Sequence, residues 1–189
     1  MNSKILRSNL FIVAVVMVFA AAFSRLLPHP HNFTPLGGMA LFAGAVFQRF
    51  KFSWLIPFVA LWISDLFLNN LVYSQYNDGF AWFSQGGVLL AFVLIFLLGR
   101  LGIRQWQPLR IASLSFLGAI VFFLVTNFTS WASATSLYTN DFSGLVACYA
   151  AGIPFFGGTV SGDLFYGLLL FGGWYLITKP KTTLVLQIV

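Results

Sequence analysis

Asp65 is the residue of this sequence with the clearest potential for chemistry. It lies within an otherwise apolar stretch, 52–70, where an ionised carboxylate costs about 2.5–3.5 kcal/mol unless it is paired or hydrated. Trp62, Asp65 and Asn69 are spaced at i, i+3 and i+7, which places them on one face of a helix. An aromatic ring, a carboxylate and an amide on one face can together bind a polar solute that contains a ring.

Two later apolar segments carry polar groups in a similar way. Asp163 lies near the start of the last apolar segment, and Asn127 and Trp131 lie at the end of the one before it. Ionisable groups inside membrane helices are functional by default. We therefore expect these side chains to face the same solute site as Asp65.

A buried ion pair with Arg25 is the alternative role for the two acids. Arg25 is the one basic residue that we place on the same side of the membrane as Asp65 and Asp163. A single guanidinium cannot fully neutralise both carboxylates. The sequence leaves open whether the acids pair with Arg25 or contact a solute.

The segment 28–35 contains three prolines, each of which fixes φ and disfavours helix before it. Thr34 is expected to cap the following helix. The segment is either a stiff connector or a rigid rim that presents His29, His31 and Asn32 to a binding site. Two loop histidines are too few for a tetrahedral metal site, and we predict no metal and no cofactor.

Enzyme signatures are missing from the sequence. It contains no hydrolase triad pattern, zinc motif, phosphate-binding loop or dinucleotide-binding glycine pattern. We therefore predict that the chain is not an enzyme. The basic residues are scattered singly at segment ends rather than clustered, so we also predict that it binds no nucleic acid.

The composition indicates a membrane protein that forms a single domain, 1–189. Of its 189 residues, 59% are hydrophobic and 7% are charged, against about 25% charged in soluble domains. Lipid can cover the surface that so few charges leave apolar. The fold class that we predict is an all-α membrane protein.

The apolar segments predict six transmembrane helices. They lie at 9–27, 36–48, 52–70, 86–103, 110–130 and 159–178. A further apolar stretch, 142–156, ends in Gly152-Ile153-Pro154, which is typical of a helix end. We predict that this stretch is a short outer interfacial helix between helices 5 and 6.

The distribution of charge predicts that both termini are cytoplasmic. With six spans, nine of the ten basic residues fall on the inner side, which agrees with the positive-inside rule. These are Lys4, Arg7, Arg49, Lys51, Arg100, Arg104, Arg110, Lys179 and Lys181. The acids, Asp65, Asp78, Asp141 and Asp163, and both histidines fall on the outer side.

Ala40 and Gly44 in helix 2 form a small-xxx-small step, which allows another helix to approach closely. The approaching helix is either one of this chain or one of a partner membrane protein.

Four segments resemble a bacterial family of small, uncharacterised membrane proteins to which a transport role has been ascribed. The similarity covers nearly the whole chain and is carried most specifically by 25–35 (RLLPHPHNFTP), followed by 63–70, 126–128 and 161–163.

The size, span number and polar outer end are also distantly similar to the S-components of energy-coupling factor vitamin transporters. That resemblance implies a solute site near the outer surface, a coupling transmembrane subunit and ATPases. The family's docking motif in helix 1 is matched in part by Ala14, Val18 and Ala22.

We predict an uptake protein of the bacterial inner membrane that binds a vitamin-like or nucleobase-like solute at the extracytoplasmic end of the bundle. The alternative is a structural or accessory subunit of a larger membrane complex, with the Ala40/Gly44 face packed against a partner. The predicted solute-binding residues are Arg25, Asn32, Trp62, Asp65, Asn69, Asn127, Trp131 and Asp163.

Overall fold

The computed structural model describes residues 3–49, 52–76, 79–133 and 137–178. All regular secondary structure in these residues is helical, as the sequence predicted. Three short turns of other helix types follow α2 and α3: 3-10 turns at Phe47–Arg49 and Ser74–Tyr76, and a π-helical turn at Leu68–Val72. The six α-helices are α1 (Ser3–Ser24), α2 (Leu36–Val46), α3 (Leu55–Phe67), α4 (Gly86–Gly102), α5 (Pro108–Trp131) and α6 (Phe142–Thr178).

Three helical segments are long and apolar enough to cross a membrane, which is consistent with a membrane protein. They are Leu55–Val72, which is α3 with its π-helical turn, α5 and α6, with 18, 24 and 37 residues. The other apolar segments, Asn9–Ser24, Leu36–Val46 and Gly86–Gly102, are shorter. Helix length therefore supports three of the six predicted spans.

Large apolar side chains are exposed on the outer faces of the bundle. Leu109 of α5 is 81% exposed and Leu168 of α6 is 75% exposed. Exposure of so many large apolar side chains is unfavourable in water. Lipid tails would cover it without that penalty.

The stretch 142–156 is not a separate interfacial helix, so that prediction is wrong. It is continuous with the last predicted span as the single helix α6, and Pro154 lies inside it. Side chains of the first half attach it to α5: the Tyr149 hydroxyl donates to the Leu124 carbonyl at 2.7 Å, and the Cys148 thiol donates to the Asn127 carbonyl at 3.4 Å. Packing of this kind lets a membrane helix tolerate proline.

The short helix α2 is the centre of the bundle. All nine residues from Leu36 to Gly44 are buried, so α2 is covered by protein on every side. A helix that is apolar all round belongs in such a position. Its length of 11 residues, about 16 Å, is therefore explained by its burial among the other helices.

The Ala40/Gly44 step packs inside the chain, so of the two alternatives that the sequence left open the structure shows packing against another helix of this chain. A Cβ atom at Gly44 would collide with the carbonyl oxygen of Phe96 in α4. Reciprocally, a Cβ atom at Gly99 of α4 would collide with the carbonyl oxygen of Leu41. Two glycines thus bring the backbones of α2 and α4 into direct contact.

The α1 residues that partly match the docking motif are also internal. Ala14, Val18 and Ala22 are buried in the hydrophobic core. They are not available on the surface for a coupling subunit.

Many of the charged residues on which the predicted charge asymmetry depends lie outside the described residues or have side chains that are not described. Lys51, Asp78, Lys179 and Lys181 lie outside the described residues, as do the side chains of Lys4, Arg7 and Arg49. The position of both termini in the cytoplasm stays a prediction.

The substitution Gly44→Ala is expected to lower the free energy of unfolding by about 1–3 kcal/mol, because the added methyl group must displace the α4 backbone. Gly172→Ala in α6 is the matched control, since a Cβ atom there meets no atom within 4 Å. Thermal denaturation in detergent measures both. Equal melting temperatures for the two variants would contradict the packing of α2 against α4.

Candidate functional site

The structure divides the eight predicted site residues among three places. Four belong to a cluster around α3, two line a cavity between α5 and α6, and two stabilise the ends of helices or loops. The α3 cluster contains Arg25, Trp62, Asp65 and Asn69; the cavity contains Asn32 and Asn127; Asp163 and Trp131 lie elsewhere.

Arg25 and Asp65 form a buried ion pair. The Arg25 Nη1 atom lies 2.5 Å from Asp65 Oδ1 and also donates to the Ser64 hydroxyl at 2.9 Å. Their side chains are 10% and 7% exposed. Of the two roles that the sequence left open for Asp65, the structure therefore shows pairing with Arg25.

The other polar residues of α3 and of the π-helical turn after it hold a segment of the chain itself. Trp62 Nε1 donates to the Trp82 carbonyl at 3.0 Å, and Asn69 Nδ2 donates to the Ser84 hydroxyl at 3.1 Å. The Asn70 side chain makes two hydrogen bonds with Ala81. Its Nδ2 atom donates to the Ala81 carbonyl at 2.9 Å, and its Oδ1 atom accepts from the Ala81 N–H at 2.8 Å. The helix face that the sequence suggested for binding a solute thus fixes the segment before α4.

Asp163 lies against the first turn of α2. Its carboxylate faces the backbone N–H groups of Gly37 and Gly38, and a Cβ atom at Gly37 would collide with it. The prediction that Thr34 caps α2 is wrong, because the N-cap residue is Pro35 and no side chain next to it makes a capping hydrogen bond. A carboxylate at a helix N-terminus complements the helix dipole, so Asp163 of α6 stabilises this end of α2 electrostatically.

The Asp163 carboxylate is deeply buried. Its side chain is 2% exposed, and Oδ2 accepts no hydrogen bond within the described part of the chain. Asp163 does not pair with Arg25, whose charge is matched by Asp65.

The proline-rich connector between α1 and α2 lies on a row of glycines in α6. A Cβ atom at Gly158 would collide with the His31 carbonyl oxygen, and one at Gly162 would lie 2.8 Å from the Thr34 backbone N and O atoms. One turn further on, a Cβ atom at Gly38 would lie 2.8 Å from the Gly167 N atom. The connector is therefore held against α6 along its length.

This contact fixes the position of Asn32. Its φ of 58° lies in the left-handed region, which Asn adopts more readily than most residues. The His31 ring packs near Phe155 of α6, with ring centroids 6.2 Å apart. The connector is thus both stiff and part of a cavity wall.

A polar cavity of about 210 Å³ opens between the connector, α5 and α6. None of the side chains that line it is charged. Amides and hydroxyls form its polar lining and phenylalanines the remainder: Asn32, Gln85, Thr126, Asn127, Ser130 and Thr159, with Phe122, Phe123, Phe155, Phe156 and Gly152.

The amides of this cavity keep unused hydrogen-bonding capacity. Asn127 Nδ2 donates to the Phe123 carbonyl at 2.8 Å, which leaves its Oδ1 atom as an acceptor. Across the described ranges, the side-chain amides of Asn32 and Gln85 make no hydrogen bond. The cavity therefore offers both donors and acceptors beside aromatic rings.

Four polar lining residues are absent from the predicted set: Gln85, Thr126, Ser130 and Thr159. Thr126 and Ser130 are spaced at i and i+4 around Asn127, so a polar stripe in an apolar helix was the available signal. Gln85 directly precedes α4. Nothing in the sequence placed its side chain beside α5.

Trp131 stabilises the segment after α5. Its Nε1 atom donates to the Thr139 carbonyl at 2.9 Å. Asp141 then caps α6 by accepting from the Gly144 N–H at 2.7 Å and the Ser143 hydroxyl at 2.8 Å. These hydrogen bonds lower the pKa of the Asp141 carboxyl below its ordinary value.

The substitution Asp65→Asn is expected to destabilise the protein by about 3–5 kcal/mol, because it leaves Arg25 buried without its counter-charge. The double variant Arg25→Gln/Asp65→Asn removes both charges and is expected to regain most of that stability. Melting temperatures in detergent test the pair. If Asp65→Asn alone melts like the unmodified protein, the ion pair has no structural role.

The substitution Gly158→Ala is expected to displace the connector and lower the melting temperature, because its methyl group would collide with the His31 carbonyl oxygen. Gly157→Ala is the matched control at the neighbouring position, where a Cβ atom meets nothing within 4 Å. A thiol-reactive probe on Asn32→Cys reports the displacement as a change in labelling rate. Identical rates in the two backgrounds would contradict the contact.

The comparisons with known proteins identify a family but no characterised relative. Searches of curated proteins and of solved structures found no match to this chain. A family profile matches residues 5–185, nearly the whole sequence. The chain therefore belongs to the family of unknown function DUF6580.

Proposed function

We propose that this protein binds a small, uncharged, ring-containing solute in the cavity between α5 and α6, as the recognition step of solute uptake. One observation carries the proposal: Asn32 and Asn127, which are distant in sequence and were both predicted as binding residues, line the same polar cavity.

The lining determines the class of solute. No charged side chain faces the cavity, so an ion would lose its hydration there without a compensating partner. The amides of Asn32 and Gln85 are exposed and that of Asn127 is half-buried, and each can both donate and accept a hydrogen bond with whatever fills the space. The preferred solute is thus neutral and carries both donors and acceptors.

The size and the aromatic lining narrow that class. A volume of about 210 Å³ is smaller than the roughly 300–1,000 Å³ of sites for drug-sized ligands. Phe122, Phe123, Phe155 and Phe156 provide faces and edges against which a flat ring can pack. A nucleobase-like molecule, or the ring portion of a small vitamin, has these properties.

The uptake part of the proposal rests on the membrane arrangement. We propose six spans in a bacterial inner membrane, with both termini in the cytoplasm and the cavity toward the outside. The support is the positive-inside pattern of the sequence and the apolar outer surface of the helices. In this proposal a coupling subunit docks elsewhere than on Ala14, Val18 and Ala22, which are buried.

The accessory-subunit alternative loses one of its supports. It expected the Ala40/Gly44 face to contact a partner, and that face packs against α4. Its expectation that the acids pair with Arg25 holds for Asp65 and not for Asp163. Solute binding is therefore the function that we favour.

The substitution Asn127→Ala is expected to weaken solute binding about tenfold, which corresponds to the loss of one hydrogen bond of about 1–1.5 kcal/mol. Free nucleobases (adenine, guanine, cytosine and uracil) are the probes, and their effect on the melting temperature of purified protein is the measurement. Mass spectrometry of small molecules that remain after gentle purification extends the search to other rings.

The matched control is Asn140→Ala, which removes the same side chain from an exposed position outside the cavity. Binding by the control and weakened binding by Asn127→Ala support the proposal. Equal affinities in the two variants would place the site elsewhere. The absence of any retained or stabilising ring-containing solute would overturn the assignment of the cavity.

A further inference from the structure

A second, larger cavity lies at the other end of the α5–α6 pair. It has a volume of about 410 Å³ and forms an apolar groove. Residues 122–130 of α5 line the polar cavity, whereas residues 108–115 line this groove. Its walls are formed mainly by Trp106, Ile111, Leu164, Leu168, Phe171 and Tyr175.

The α6 wall of the groove is a continuous apolar stripe. Leu164, Leu168, Phe171 and Tyr175 follow one another at intervals of three or four residues, so they share one helix face. The stripe extends over about 16 Å at 1.5 Å per residue. That length matches about half of the roughly 30 Å hydrocarbon core, which is the depth of one leaflet.

Two exposed arginines are close neighbours in sequence of residues that line the groove. Arg104 lies two residues before Trp106, and Arg110 lies directly before Ile111. Both are exposed. Throughout the residues that the structure describes, the one salt bridge is that of Arg25 with Asp65, so neither arginine has an acidic partner there.

We infer that this groove is a binding site for a phospholipid with an anionic headgroup. One acyl chain lies along the apolar stripe of α6, and the headgroup phosphate contacts Arg104 and Arg110. The charge complementarity selects the headgroup, because basic residues beside an apolar groove between membrane helices are the recurring way in which anionic lipids are recognised. This site is separate from the polar cavity and does not depend on the proposed solute.

The test compares phosphatidylglycerol with phosphatidylcholine bound to the purified full chain, by native mass spectrometry after equal exposure to both lipids. The unmodified protein is expected to retain phosphatidylglycerol in excess. Arg110→Gln should reduce that excess about fivefold, the effect of removing about one arginine from the membrane surface, and Arg104→Gln/Arg110→Gln should nearly abolish it.

Two further variants separate this site from general attraction to charge. Arg100→Gln removes the same charge but has no groove-lining residue within five positions, so it should preserve the preference. Ala112→Phe fills the groove without changing charge and should reduce retention of both lipids. The inference is overturned if Arg100→Gln acts as strongly as Arg110→Gln, if Ala112→Phe retains lipid like the unmodified protein, or if the unmodified protein shows no preference.

Discussion

Direct backbone contact at glycine residues is the constraint on which the architecture depends. α2 contacts α4 through Gly44 and Gly99, and the connector before α2 contacts α6 through Gly158 and Gly162. At Gly44, Gly99 and Gly158 a single methyl group would collide with a backbone carbonyl oxygen. Membrane helices associate without a strong hydrophobic force, so close approach at small residues is a main source of their packing energy.

The same contacts place the polar groups. Because the connector is held on α6, Asn32 reaches the cavity that Asn127 and Thr159 line from the neighbouring helices. Because the first turn of α2 packs against α6, the Asp163 carboxylate can lie against the first N–H groups of α2. The polar cavity is thus a consequence of the backbone packing.

The buried acids show how such a chain satisfies its own charges. Asp65 pairs with Arg25, and Asp163 faces a helix N-terminus. Acids inside a membrane protein are expected to be functional. Here both of them have structural roles. What remains for the solute recognition that we propose is a set of neutral amides and hydroxyls beside aromatic rings.

The sequence predicted the helical class and the positions of the apolar segments well, because hydropathy directly reflects the requirement for a helix in lipid. It failed at 142–156, since Gly152 and Pro154 are typical of a helix end when the packing of Gly152 against α5 is unknown. Of the residues that it predicted for the site, Asn32 and Asn127 line one cavity, and their role in binding stays a prediction. The sequence grouped Trp62 and Asn69 with them because one helix face looks the same whether it holds a ligand or, as here, the segment before α4.

Cross-linking in native membranes tests most directly whether the connector is held on α6 beside α5. The chain would carry Asn32→Cys and Asn127→Cys in a Cys148→Ser background and be treated with a short bifunctional thiol reagent. The account predicts rapid intramolecular cross-linking, because both side chains line one cavity of about 210 Å³. If each cysteine reacts singly with the reagent but the pair does not cross-link, the shared cavity does not exist and the account is contradicted.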